Sequence, residues 1–184
     1  MNMLHLLGLA KLMVSIDSST IIHYSLIFIT SFLPIAEVRG GIPLAFYYFY
    51  NDSSRLVWGI AVAIVANLLI APFVLYILKY IDLFIKRSRI VPEPVRKIYL
   101  WILKHSENRG RKLRKYDIPT LVTFVAIPFP ITGAWTGSLI AFLIGMDRKR
   151  ALIAIEVGVV IASLIVLSIC LLGLEVLKRI FFIS

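Results

Sequence analysis

Four apolar stretches, residues 21–50, 56–81, 118–146 and 151–177, make up most of this chain, and two of them are interrupted in the same way. The stretches 56–81 and 151–177 are continuous, with no proline except Pro72. At 1.5 Å of rise per residue, about 26 residues cross a 30 Å hydrocarbon core with some tilt to spare. The other two read Leu33-Pro34-Ile35-Ala36-Glu37-Val38-Arg39-Gly40-Gly41-Ile42-Pro43 and Ile127-Pro128-Phe129-Pro130-Ile131-Thr132-Gly133-Ala134-Trp135-Thr136-Gly137. Two prolines and two glycines within about ten residues argue against an unbroken helix. The arms beside each break, roughly nine to fourteen residues, are too short to span. Non-helical backbone persists at membrane depth only when buried in protein or lining a wet cavity. Both regions therefore read as re-entrant hairpins or broken helices.

Composition agrees with a lipid environment. The chain is 60% hydrophobic and 16% charged, against about 45–50% and 25% for soluble domains. The expected fold class is an all-α integral membrane protein, with 1–184 as a single membrane domain and nothing left for a soluble one. Cys170 is the only cysteine, so no internal disulfide forms, and His5, His23 and His105 lie too far apart to suggest a metal site. No metal and no cofactor are expected. The net charge of +10 suits basic loops facing anionic lipid headgroups better than nucleic acid. Residues 1–16 have no basic residue ahead of their apolar run, and Lys11 interrupts it. They read as an interfacial helix rather than a cleaved signal. Asp17-Ser18-Ser19-Thr20 is a turn with good capping residues for the next helix.

The chain also repeats itself. With Pro34 placed on Pro130, Ile35 falls on Ile131, Gly41 on Gly137 and Ala45 on Ala141. After a one-residue slip, Gly59, Ala63 and Asn67 fall on Ala154, Gly158 and Ala162. Residues four apart share a helix face, so each long helix carries a stripe of small residues suited to close helix packing. The expected plan is two inverted repeats, 20–82 and 118–178, each a re-entrant helical hairpin followed by a transmembrane helix.

Between them lies a basic loop, 83–117. From Lys79 to Lys115 the chain holds twelve of its twenty basic residues, which marks that side as cytoplasmic. Val95, Ile98, Tyr99 and Ile102, with Trp101 nearby, suggest a short helix on the membrane surface. Charge counting does not choose between hairpins and four full crossings, because each leaves fifteen basic residues inside and four outside.

Glu37 and Arg39 are the sharpest candidates for function. At membrane depth an isolated ionised group costs roughly 2.5–3.5 kcal/mol or more. The pair is either mutually neutralising or a site where the hairpin helices end, with Arg39 and unpaired backbone N–H groups suiting an anionic head group. Glu37 is then a proton carrier or counter-ion. Gly40 and Gly41 in the first hairpin, and Thr132, Gly133, Trp135, Thr136 and Gly137 in the second, complete the candidate binding set. Glu156 is a second candidate for proton coupling, or else reaches the headgroup region or pairs with a nearby arginine.

Residues 34–45 resemble the first signature of the small multidrug export protein family. Residues 127–139, continuing into Gly145-Met146-Asp147, resemble its second, and Asn67 and Pro72 fit its first long helix. The resemblance covers about residues 30–165. It implies a transporter in the cell (cytoplasmic) membrane. The family is similar in plan to DedA-type membrane proteins, implicated in proton-dependent translocation of polyprenyl-phosphate lipid carriers. This chain departs from the DedA pattern in having no arginine between Ile118 and Met146.

The leading expectation is a multi-pass transporter, possessing no enzyme activity, that moves an amphipathic substrate, best a phosphate-bearing polyprenyl lipid, with proton coupling. The alternatives are efflux of drug-like lipophilic cations and a non-transporting membrane scaffold. Membrane lipid and a homo-oligomer are the expected partners; nucleic acid is not. No metal set, nucleophile with base, or carboxylate pair supports an enzyme. Re-entrant hairpins put Ser184 on the side opposite the 83–117 loop, and four full crossings put both on one side. Reporter fusions at the two positions should give opposite signals, and matching cytoplasmic signals would end the inverted-repeat plan.

Overall fold

A computed structural model describes residues 17–88, 90–113, 117–129 and 131–181. The interfacial helix expected over 1–16 lies outside the described residues. All regular structure among them is helical, in eight helices: α1 (Ser18–Phe32), α2 (Glu37–Phe49), α3 (Ser53–Leu68), α4 (Ile70–Arg87), α5 (Glu93–Leu113), α6 (Asp117–Ala126), α7 (Ala134–Leu143) and α8 (Arg148–Phe181).

Local chemistry sets most of the boundaries. Asp17 stands in extended conformation ahead of α1, its carbonyl accepting from the Thr20 N–H at 2.8 Å. The helix stops at Leu33, which is extended because the following Pro34 disfavours the helical region. Asp52 caps α3 by accepting the Arg55 N–H at 3.0 Å. The expected continuous helix over 56–81 is interrupted at Leu69. Pro72 sits just beyond and cannot donate to the Leu68 carbonyl. Even so, Ser53–Arg87 and Arg148–Gly173 are each long and apolar enough to cross a membrane.

Three expectations need correction. The first break is confined to residues 33–36, and Gly40, Gly41 and Pro43 all lie inside α2. A helical glycine costs about 1 kcal/mol relative to alanine, but here it permits close approach: a Cβ on Gly41 would sit 1.7 Å from Ser31 Oγ. The basic loop begins later than residue 83, because α4 runs on to Arg87, with Lys86 and Arg87 favourably placed in its last turn. The surface helix is not short: α5 has 21 residues. Tyr99 ties it to α4, its hydroxyl donating to Asp82 at 2.9 Å, and Leu103 is its buried apolar residue. Burial and the Asp82 carboxylate push the Tyr99 phenol pKa up.

α1 and α2 form an antiparallel hairpin. His23 stacks on Tyr48 with ring centroids 4.1 Å apart near its open end, and Ser31 meets Gly41 near its tip. This hairpin packs with α3 and the distal half of α8 around Ile27, Ile42, Ala45, Ala63, Ala162 and Val166. A second core joins α4, α6, α7 and the proximal half of α8 around Ile70, Val74, Val125, Ala141, Ala154 and Ile155. The α3–α4 pair and α8 each run through both cores. All six stripe residues, Gly59, Ala63, Asn67, Ala154, Gly158 and Ala162, are buried. A Cβ on Gly158 would come within 2.6 Å of Val125 and 3.0 Å of the Val122 carbonyl.

Gly158→Leu should therefore lower stability in detergent by about 1–3 kcal/mol through overpacking. Val160→Leu, at a position 44% exposed on the same helix, should stay within about 0.5 kcal/mol of the parent. Equal losses in thermal unfolding would mean that the stripe is not an interface.

Candidate functional site

The tips of the two broken regions meet at Glu37. This residue opens α2 with φ of +50°, an unusual left-handed conformation for a non-glycine residue. That conformation is a mark of strain, which persists only when its surroundings enforce it. The enforcing contacts are visible: its carboxylate, with the residue only 4% exposed, accepts the backbone N–H groups of Ala134 and Trp135, each at 3.4 Å. Those are the first residues of α7, so Glu37 places a negative charge on the positive end of a helix that lies 97 residues away in sequence.

Arg39 closes the arrangement. Its Nη2 lies 3.2 Å from Glu37 Oε2 and also donates to the Thr132 carbonyl. Because Glu37 takes the left-handed conformation, the two side chains can meet despite their i,i+2 spacing, which would separate them on a regular helix. Gly133 makes the approach possible. Its φ is +147°, and a Cβ there would fall 2.1 Å from Glu37 Oε2. Trp135 fastens the tips a second time, its indole Nε1 donating to the Phe32 carbonyl at the end of α1 at 2.8 Å. That carbonyl would otherwise be one of the unpaired groups of a helix C-terminus.

Glu37, Arg39, Thr132, Gly133 and Trp135 are thus brought together. The others are not. Thr132 contributes its carbonyl rather than its hydroxyl, which lies 2.7 Å from the Ile127 carbonyl and 2.8 Å from that of Phe129 and so ties the 127–132 loop to itself. Gly40 faces Thr30 and Ala36, Gly41 faces Ser31 and Ala63, and Gly137 faces Val125 and Ile155. These three are packing contacts, with the other arm of the same broken region and, for Gly41 and Gly137, with the long helix that follows it. Thr136 points toward α4 instead. Glu156 is half-buried on α8 and forms neither the ion pair with an arginine nor any hydrogen bond to the site among the described residues.

Asn67, marked in the sequence as a stripe residue, bonds between helices, and its partner Ser31 had no sequence signal. Asn67 Nδ2 donates to the Ser31 carbonyl at 3.2 Å, and both residues are fully buried. Ser31 Oγ, Asn67 Oδ1 and Arg39 Nη1 are buried atoms without a hydrogen-bond partner. No cluster of three His, Cys, Asp or Glu side chains that could hold a metal ion occurs among the described residues.

The described residues thus form an all-helical protein with two helices apolar and long enough to cross a membrane, and two broken regions whose tips are joined by Glu37 to the α7 N–H groups and by Arg39 to the Thr132 carbonyl. The family described as "Putative small multi-drug export protein" matches residues 37–165, and the chain belongs to it. The match begins at Glu37 and takes in the whole clasp from the second hairpin. No curated protein and no solved structure matches the chain.

Removing Arg39 (Arg39→Gln) leaves Glu37 with the α7 N–H groups, whereas Glu37→Gln leaves a guanidinium with neutral acceptors only, the Thr132 carbonyl and the glutamine amide oxygen. Breaking a buried pair at one end costs about 3–5 kcal/mol. Glu37→Gln should accordingly destabilise more than Arg39→Gln, and the double variant should recover part of the loss but not all. Thermal unfolding of the three variants checks this. Full recovery in the double variant would mean that Glu37 does nothing for α7.

Proposed function

We propose that the protein is a transporter that moves an amphipathic molecule with an anionic, phosphate-bearing head group across the cytoplasmic membrane, working by alternating access between two inverted repeats. The observation that carries the head-group reading is Arg39 Nη1, a buried cationic donor with no acceptor. Both Glu37 oxygens already accept hydrogen bonds. The unused capacity of the site is therefore a donor, and a phosphate is its natural complement. That observation favours an anion over the lipophilic cation that the family description also suits.

The repeat reading is supported by reciprocal packing. α2 lies against Ala162 and Val166 of α8, and α7 lies against Ile70, Ala71 and Val74 of α4. With Ala63 placed on Gly158, Ala71 falls on Val166. Each hairpin's second arm thus packs on the same part of the other repeat's long helix. On this plan each hairpin returns to its own side, and the basic segment 83–117 faces the cytoplasm.

Proton coupling follows from the same atoms. A proton taken up by Glu37 neutralises the carboxylate and weakens its hold on Arg39 and on the α7 N–H groups. The donors released are those an incoming phosphate needs, and the proton and the substrate occupy the site together. Loss of the proton restores the clasp and expels the anion. The role is binding and release, with no bond made or broken in the substrate.

In reconstituted liposomes, wild-type protein should translocate a polyprenyl phosphate and leave a lipophilic cation untouched. Arg39→Gln should reduce that flux about tenfold or more, the effect of losing a charge-assisted hydrogen bond of about 1.5–3 kcal/mol. Arg39→Lys should fall between, because a bidentate fork becomes a point charge. Cation flux that depends on Glu37 would establish the efflux reading instead. Folded variants at both positions with wild-type flux would leave only the scaffold.

A further inference from the structure

Beside the clasp, α4 and α7 enclose a groove of about 310 Å³ lined by Val74, Ile77, Leu78, Trp135, Thr136 and Leu139. Its walls are apolar except for the Thr136 hydroxyl, since the Trp135 indole N–H is already taken by the Phe32 carbonyl. Ile77 and Leu139 stand on the outside of the protein, 38% and 44% exposed, while Val74 forms a buried floor at 7%. Trp135 belongs to both features: its backbone N–H holds Glu37, and its side chain is a wall of the groove. One residue therefore separates the buried ion pair from an apolar channel on the lipid-facing side.

We infer that this groove holds the hydrocarbon chain of the same molecule whose head group Arg39 receives, and that the molecule reaches the site sideways from the bilayer between α4 and α7. The inference rests on the head-group reading given above. The volume is at the lower limit of ligand pockets, about 300–1,000 Å³, so it suits part of a ligand rather than a whole one. Lipid tails are as apolar as leucine, so a chain gains no hydrophobic free energy by leaving the bilayer for the groove. Occupancy must therefore come from the head group. A chain without a phosphate should not prefer this groove to any other apolar face.

A second apolar concavity gives the control. It lies on α6, lined by Pro119, Thr120, Thr123, Phe124 and Ile127, and shares no residue with the clasp.

The test uses the full chain in lipid nanodiscs with two probes carrying a photoactivatable diazirine midway along the chain: an isoprenyl phosphate and the corresponding neutral alcohol. Cross-linked peptides are mapped by mass spectrometry, and binding of the phosphate probe is measured separately. The phosphate probe should label residues 74–78 and 135–139 about tenfold more than the alcohol does, which corresponds to about 1.4 kcal/mol. Both probes should label the α6 face equally. Arg39→Gln should remove the tenfold preference. Leu139→Trp and Ile77→Trp, at outward positions that tolerate bulk, should each fill the groove and abolish its labelling. Equal labelling of groove and α6 face by both probes would make the groove an ordinary lipid contact and overturn the inference. Arg39-dependent binding with the label on another helix would overturn it while leaving the head-group reading intact. Failure of the phosphate probe to bind at all would remove the head-group reading, and the inference with it.

Discussion

The fold turns on one carboxylate. Glu37 begins α2 in a strained conformation, and its side chain crosses to the first turn of α7. A carboxylate left alone at membrane depth would be costly. Here it meets two backbone N–H groups, the positive end of a helix and a guanidinium. The interaction therefore does for α7 what a local capping residue does for an ordinary helix, and it does so from the other hairpin. Gly133, which occupies the capping position itself, has no side chain to offer and must have none, because the carboxylate fills that space.

Around this clasp the packing is tight and shared. Small residues on α3 and α8 let hairpin arms approach closely, and both long helices run through both cores. In lipid, helix association relies on such contact because burial away from water no longer drives it. A rearrangement of one hairpin therefore acts on both cores through the long helices. Glu37, whose charge holds the two tips together, is positioned to bias such a rearrangement. That coupling of charge to packing is the physical content of the transport proposal.

The buried polar atoms without partners belong to the same region. Most buried polar groups in proteins are satisfied, so exceptions ask for an explanation. For Arg39 Nη1 the transport proposal supplies an acceptor, the phosphate of the substrate. Ser31 Oγ, near the tip of the first hairpin, and Asn67 Oδ1, on α3 beside it, have no account in this site.

The sequence by itself determined that the chain is helical and membrane-embedded, that its apolar stretches alternate between broken and long, and which helix faces carry small residues. These are consequences of local chemistry: proline disfavours helix ahead of it, runs of apolar residues need lipid, and four-residue spacing defines a face. It also marked Glu37 and Arg39, because two charges in such a run are expensive. What they touch was decided only by tertiary structure. The Ala134 and Trp135 N–H groups, the Thr132 and Phe32 carbonyls and the Ser31–Asn67 bond join positions between 36 and 103 residues apart. No short-range pattern encodes a backbone group as a partner. For the same reason sequence alone does not say what each glycine faces. Gly40, Gly41 and Gly137 read as openings for a substrate, whereas their three-dimensional contacts are packing, and Gly133, with its positive φ, lies against the Glu37 carboxylate.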